Sequence, residues 1–562
     1  MQNQLTERRN YIKETLGSRV VPQAKYEEQR KLQCHEVTRD EVLTEIDVWT
    51  RTPSPSEHCL WILGKPGVGK SAIGITATKC LKDRKRITAN SSGVDQVAQT
   101  TAECWLKEKA SLFAQFFVNR ALALTTEPNH IFPTLAMQLA SAYPLAALLI
   151  HNTLIKTPTI AKTLSEAQAR ALFIEPICAI ARYKPDMAVV VIDGVDELSD
   201  TNSVLLSHFT SILSTVVSDL PENVKFLVFS RPEDSITAKI ALVIKRLDLA
   251  TEKSKSDVNR FLRAELPKLA HKHGWSDWPT EEQVSLLYRN AAGHLGWIAT
   301  AIRWIASQLE EEGGVRCNDV INEVGQLGMG DLDELYSHIL HRLLPRQGPS
   351  RDRYLKGFQA VMGCLVVLQE PLNVGAISVL LSLEPLELLK PENFDNFHFI
   401  KRISSLVVKG TEPVTNSTVL QMHKSVVDFL TGTPDRTPEI FHIDDSKHHR
   451  LLAIACFRIM FNPEELHFNM GGIITSHQLD QNIPLSDQRF GHVIYACQSF
   501  VHHLREDGET LVQDVDRFMK ICFLYWLEVL SLQGKIDIAE STLEVLQQKI
   551  KASPRLRSKC DC

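Results

Sequence analysis

The stretch Gly64-Lys65-Pro66-Gly67-Val68-Gly69-Lys70-Ser71 satisfies the spacing G-x-x-x-x-G-K-[ST] throughout. That spacing suits one task. Glycines let the backbone turn tightly and bring its N–H groups against phosphate oxygens, and a helix starting at the lysine adds its positive end. Lys70 is then the residue that reaches the β- and γ-phosphates, and the Ser71 hydroxyl the one that ligates Mg²⁺. The plain alternative is a chance glycine-rich turn. Context weighs against it, because the apolar run Cys59–Leu63 stands just before and a helical stretch just after.

A nucleotide-bound metal also needs carboxylates. The apolar run Ala188–Ile192 ends in Asp193, Gly194, Val195, Asp196 and Glu197. This puts acids at the tip of a buried strand, the edge where open α/β sheets bind ligands. Asp193 is placed to hold Mg²⁺ through its water shell, and Glu197 or Asp196 to orient an attacking water. Acids commonly begin loops, so the pattern alone is weak; downstream of a complete phosphate loop it is strong. A third station is the strand-like Phe226–Ser230, which runs into Arg231 and Pro232. There Arg231 either senses a γ-phosphate or is a surface arginine before a turn proline.

These residues need elements to hold them. Residues 35–245 alternate short apolar runs with helical stretches, which predicts an α/β domain with a mostly parallel sheet and helices on both faces. The expected strands are Cys59–Leu63, Leu112–Val118, Ala188–Ile192 and Lys225–Phe229, near-continuously apolar as strands buried on both faces should be. Residues 1–34 read as a polar helical lead-in. After Leu249 strands largely stop: 246–345 is expected to be helical, with apolar residues at helical spacing in Asp257–Leu269 and Glu281–Ala291. A small mixed domain follows over 346–435, with a hairpin around Leu406–Leu420. A helical region, 436–562, includes the strongly apolar Phe518–Leu532.

Bulk properties narrow the class. A chain of 562 residues predicts several packed units, and 44% hydrophobic with 23% charged residues is ordinary for soluble globular protein. The net charge of −5 gives no reason to expect nucleic acid as a partner. The start lacks a secretory layout and no apolar run approaches the ~18 residues of a membrane span, so a cytoplasmic protein is expected. Twelve cysteines lack C-x-x-C spacing, and the terminal pair Cys560 and Cys562 has no further ligands with metal-site spacing. No Asn-Lys-x-Asp of the small-GTPase type occurs, which leans toward adenine and leaves guanine open.

The three stations in this order resemble the NACHT class of signal-transducing NTPases, within the STAND group, and specifically the long fungal proteins related to NOD-like innate-immune receptors. His130–Ala136, Ile192–Glu197, Phe229–Glu233, Leu332–Tyr336 and Phe523–Leu530 all resemble stretches of such chains, and the likeness runs from about Val37 to Ile536. The resemblance implies a winged-helix domain over 346–435 that offers a histidine to the bound diphosphate; His423, in Gln421-Met422-His423-Lys424-Ser425, stands at that place. It also implies ATP/ADP or GTP/GDP with Mg²⁺, slow hydrolysis, self-association on activation, and protein signalling partners. The role implied is nonself recognition, innate-immunity-like or cell-death signalling. A rapidly turning-over P-loop ATPase, a non-hydrolysing scaffold and a truncated regulator are the rival readings.

Two stretches depart from the family pattern. Where relatives carry Gly-Leu-Pro or Gly-Leu-Phe against the nucleotide, this chain reads Ala292-Gly293-His294-Leu295-Gly296-Trp297, which puts that contact in question. In addition, 73–96 stands between the phosphate loop and Val97–Lys107, a helix-like stretch resembling the one that follows the loop in relatives. It reads as an insertion or a translated intron, so Ala72–Asp83 and Val97–Lys107 compete for the helix position after the loop.

Overall fold

The structure, a computed structural model, describes residues 2–28, 33–54, 56–83, 110–119, 123–162, 164–183, 187–199, 203–232, 244–249, 252–312, 317–328, 330–345, 347–383, 386–389, 394–411, 418–472, 490–504, 511–536, 538–539, 542–543 and 545–547. The chain folds as two units, Met1–Leu332 and Asp333–Cys562.

The first unit is built on a parallel sheet of β1 (Cys59–Leu63), β2 (Ala110–Phe117), β3 (Met187–Asp193), β4 (Val224–Ser230) and β5 (Ile244–Asp248), in the order β2-β3-β4-β1-β5. All residues of β1, β3 and β4 are buried. Successive side chains take opposite faces, as strand geometry requires. Cys59, Trp61 and Leu63 enter one core cluster, and Leu60 and Ile62 the other. The first cluster is covered by α4 (Ile131–Ala142), α5 (Pro144–Lys156), α6 (Glu175–Tyr183) and α7 (Ser203–Val217), the second by α2 (Asp40–Arg51) and α3 (Lys70–Asp83). The doubly covered parallel sheet expected from the apolar runs is thus the fold found.

The lead-in is helical at its start, α1 (Gln2–Leu16), and its apolar minority has a destination. Ile12, Leu16, Val21 and Ala24 are at most 1% exposed within the first core cluster. The Val21 amide donates to Thr134 Oγ1 at 2.9 Å. Burial of side chains such as Ile12 and Leu16 is worth about 1.5–3 kcal/mol each, so the segment is part of this core.

The helix position after the phosphate loop is held by the attached stretch. In α3, Ile73, Ile75, Ala77 and Leu81 are buried against the sheet. The expected insertion beyond Asp83 and the competing Val97–Lys107 lie outside the described residues, as do Glu233, Cys560 and Cys562. Beyond the sheet come α8 (Glu252–His273), α9 (Glu281–Ala291) and α10 (Leu295–Glu312). A capping box starts α9, with the Thr280 side chain accepting from the Gln283 amide and the Gln283 side chain accepting from the Thr280 amide.

The second unit contains α11 (Pro349–Val367) and an antiparallel sheet of β6 (Leu372–Asn373), β7 (Val407–Thr411) and β8 (Thr418–Met422), ordered β6-β8-β7. The β7–β8 hairpin falls where the sequence predicts one. Then follow α12 (Lys424–Leu430), α13 (Asp445–Phe461), α14 (Gly491–Ser499), α15 (Val512–Ile521) and α16 (Phe523–Leu532). Phe457, Phe500, Phe518 and Trp526 form an aromatic core with ring centroids 5.0–6.4 Å apart. Among the described residues, no helix is long and apolar enough to cross a membrane.

Candidate functional site

Sheet register brings the three stations to one edge. Leu63, the last residue of β1, pairs with Ser230 of β4, and Asp193, the last of β3, pairs with Phe229. Because β4 lies between β1 and β3, Arg231 leaves the sheet between the phosphate loop and the acids. Trp61 donates from its indole to Ser230 Oγ at 2.7 Å, and the Gly64 amide donates to the Ser230 carbonyl at 3.3 Å, which pins the loop's start to the end of β4.

The loop itself needs its glycines. Gly67 and Gly69 have φ of 76° and 93°, the left-handed region where a side chain is strained. A Cβ at Gly64 would stand 2.6 Å from Val68 Cγ2. Helix α3 starts at Lys70, and its first intrahelical bond runs from the Ile73 amide to the Gly69 carbonyl at 3.0 Å. The amides of Lys70, Ser71 and Ala72 precede that bond, the usual donors of a helix N-terminus to an anion.

Lys70 folds back on the loop, donating from Nζ to the carbonyls of Gly64 at 2.7 Å and Lys65 at 3.0 Å. Burial pushes this ammonium down to about 8, while Asp196 favours its charge, Arg231 disfavours it, and Asp193 and Glu197 favour it again. The four charged residues expected of the second and third stations therefore all act on Lys70. Asp193 is 1% exposed and Asp196 3%. Asp196 accepts from the Arg231 amide at Oδ1 and pairs with Arg231 Nε at Oδ2, each at 3.1 Å. Gly194, at φ 80°, lets the chain turn so that its own amide donates to the Phe229 carbonyl at 3.1 Å. The Glu197 amide closes the turn onto the Gly194 carbonyl at 2.8 Å.

The Ser71 hydroxyl and the Asp193 carboxylate are hard oxygen donors of the kind Mg²⁺ takes, and Asp193 is a buried carboxylate whose charge acts on the phosphate loop's lysine. These residues fit the metal. His423 belongs to the second unit, where it caps α12: Nδ1 accepts from the Ser425 amide at 3.2 Å and lies 2.6 Å from Ser425 Oγ. Ser425 Oγ in turn meets the Tyr336 hydroxyl at 2.7 Å.

Two contacts on the loop escaped the motif reading. Arg39, 2% exposed, donates from Nη2 to the Val68 carbonyl at 2.6 Å and from Nη1 to Ser254 Oγ at 2.9 Å. Asp257 of α8 holds it, accepting from the Arg39 amide at 3.0 Å and pairing with Nη1 at 3.5 Å. His294 places Nε2 2.8 Å from the Pro66 carbonyl, and Gly296 lies so close to Gly67 that a Cβ there would collide with the Gly67 carbonyl. The stretch that departs from the family's Gly-Leu-Pro therefore does meet the phosphate loop, by a histidine and a glycine. Only the departure itself marked it in the sequence.

Residues 34–231 match the family described as Nephrocystin 3, N-terminal. The vegetative incompatibility protein HET-E-1 of Podospora anserina is 22% identical in an alignment of 374 residues that covers 62% of this chain and 25% of that protein. The chain thus spans about a quarter of the length of this curated relative. Among solved structures, the STAND protein with a tetratricopeptide repeat sensor from Pyrococcus horikoshii covers 91% of this chain and 58% of its own, at 12% identity and a TM-score of 0.37. Cdc6p from Pyrobaculum aerophilum covers 72% and 94%, at 14% identity and a TM-score of 0.29. Its sequence likeness and its parallel sheet with a complete phosphate loop make this chain similar to NACHT/STAND-type P-loop NTPases.

Proposed function

We propose that the chain is a nucleotide-dependent switch, closed around a diphosphate and opened by a triphosphate, with slow hydrolysis resetting it. The observation that carries this reading is the convergence of Lys70, Asp193, Asp196, Glu197 and Arg231 at one sheet edge. Gly64, Lys65, Pro66, Gly67, Val68 and Gly69 wrap the phosphates, and Lys70 exchanges its two loop carbonyls for phosphate oxygens. Ser71 and Asp193 hold Mg²⁺, which when bound neutralises part of the polyphosphate charge. Arg231 is steadied by Asp196 through its amide and its guanidinium, which readies it to sense a γ-phosphate. That engagement makes Glu197 the better-placed carboxylate to orient water, with Asp196 the alternative.

His423 extends the reading to the second unit. Its Nδ1 accepts from the Ser425 amide, so the ring proton sits on Nε2, the atom that donates to the diphosphate in the closed state. The winged-helix assignment of 346–435, ATP over GTP, self-association on opening, and a part in fungal nonself recognition or cell-death signalling belong to the same proposal. The last of these, the signalling role, is supported by the likeness to the vegetative incompatibility protein. The deciding experiment is to purify the full chain, identify the nucleotide that comes with it, and follow single against multiple turnovers. A bound diphosphate with slow turnover is expected. Rapid multiple turnover would make the chain an ordinary ATPase, and failure to bind any nucleotide would make it a scaffold.

A further inference from the structure

The phosphate loop is gripped from outside by two side chains, and each grip falls on a carbonyl. His294 Nε2 lies 2.8 Å from the Pro66 carbonyl, and Arg39 Nη2 donates to the Val68 carbonyl at 2.6 Å. In a trans peptide the carbonyl and the N–H point in opposite directions. A carbonyl held toward the helical region therefore turns the following amide away from it: Gly67 N–H in one case, Gly69 N–H in the other. Both glycines have positive φ, so their peptides are free to flip unless something fixes them. Among the described residues neither amide donates to a backbone carbonyl.

His294 is built for this. A carbonyl oxygen only accepts, so Nε2 carries the proton. Nδ1 accepts from the Trp297 amide at 3.1 Å, while the His294 carbonyl accepts from the Ile298 amide at 3.2 Å, the hydrogen bonds of a helix N-cap on α10. One neutral imidazole thus spans from the start of α10 to the phosphate loop, and both ring nitrogens are used. Burial, together with the nearby Lys65 and Lys70 charges, disfavours its protonated form.

Resting on the reading of this loop as a nucleotide site, we propose that His294 is a positioning residue: it holds the Pro66 carbonyl outward so that the Gly67 amide is preset for a phosphate oxygen. Arg39, held by Ser254 and Asp257 of α8, does the same for Gly69. The affinity for polyphosphate then depends on a residue of the helical region that touches no phosphate.

The two ring functions can be separated. His294→Asn keeps a cap acceptor for the Trp297 amide and is too short to reach Pro66, whereas His294→Ala loses the cap as well. The test measures melting temperature without ligand, and affinity for MgATP, ADP and inorganic pyrophosphate, in the full-length wild type, Lys70→Ala and the two His294 variants. His294→Asn is expected to melt between the wild type and His294→Ala and to bind all three ligands about five- to tenfold more weakly, the scale of one hydrogen bond. His294→Ala should lose the same affinity and melt lower. Wild-type affinity in His294→Asn, with binding abolished in Lys70→Ala, would overturn the positioning role and leave the site standing. A loss confined to ATP and ADP, or melting as low as His294→Ala, would also overturn it. If the wild type binds none of the three, the site reading falls and the proposal with it.

Discussion

Lys70 donates to two carbonyls of its own loop, so a nucleotide has to replace those bonds to gain the ammonium. At about 100 times its dissociation constant, a nucleotide should stabilise the native state by ~2.7 kcal/mol. The unit that carries the site, Met1–Leu332, exceeds the ~150–250 residues for which each kcal/mol moves the melting point by about 2–4 °C, so the shift should be at most roughly 5–11 °C. Lys70→Ala is expected to abolish the shift, and an equal shift in mutant and wild type would refute the assignment. The two acids beyond β3 should separate in kinetics. Glu197→Gln is expected to keep triphosphate binding and slow hydrolysis, because the water loses its orienting base. Asp196→Asn should instead loosen Arg231 and narrow the preference between tri- and diphosphate. Hydrolysis at the wild-type rate in Glu197→Gln would pass the water-orienting role to Asp196. Lys70, Ser71 and Asp193 were legible because each follows a buried strand at a fixed short spacing. Arg39 and His294 were not, since their partners are backbone carbonyls 29 and 228 residues away, and a carbonyl leaves no trace in a residue type.

At the scale of elements, four strands were readable from apolar runs and the fifth was not. In β5, Lys245, Arg246 and Asp248 fall within five residues, and Lys245 to Asp248 are half-buried or exposed. It pairs on one side with β1, so an apolar run is not demanded of it. The apolar stretch Phe518–Leu532, expected to be helical, is divided between two helices that meet at Cys522, whose Sγ donates to the Met460 carbonyl. Continuity decided the helix after the phosphate loop: α3 begins at Lys70 itself and fills the sheet face with Ile73 and Ile75. One element carries its own pH dependence. His448 of α13 is 2% exposed and packs its ring on Gly363 of α11. Burial pushes it down to about 4, with Lys447 adding to the effect and Asp444 and Asp445 opposing it. The unfolded chain therefore binds more protons between pH 4 and about 6.5, and stability contributed here falls as pH falls through that window, by roughly 3 kcal/mol at most. In His448→Gln this part of the acid loss should disappear from denaturant titrations at pH 7 and pH 4.5. An unchanged difference between the two pH values would remove His448 from the account.

For the whole molecule, the proposed closed state depends on His423. His423→Asn keeps an acceptor for the Ser425 amide and loses the Nε2 donor, so folding and ligation are separated here as well. A charge-assisted bond contributes about 1.5–3 kcal/mol. Diphosphate affinity should therefore fall roughly 10- to 150-fold, with triphosphate affinity much less affected and a larger self-associated fraction in light scattering. Unchanged diphosphate affinity and an unchanged monomer fraction would leave His423 as the cap of α12. The seam between Gly296 and Gly67 gives the same switch a hereditary side. There is no room for a Cβ at Gly296, so the one-base change to alanine inserts a carbon where the Gly67 carbonyl stands. Most disabling lesions in a protein remove something. At this seam the smallest possible addition displaces the helical region, and His294 with it, from the phosphate loop, so nucleotide affinity should be lost here by gain of mass.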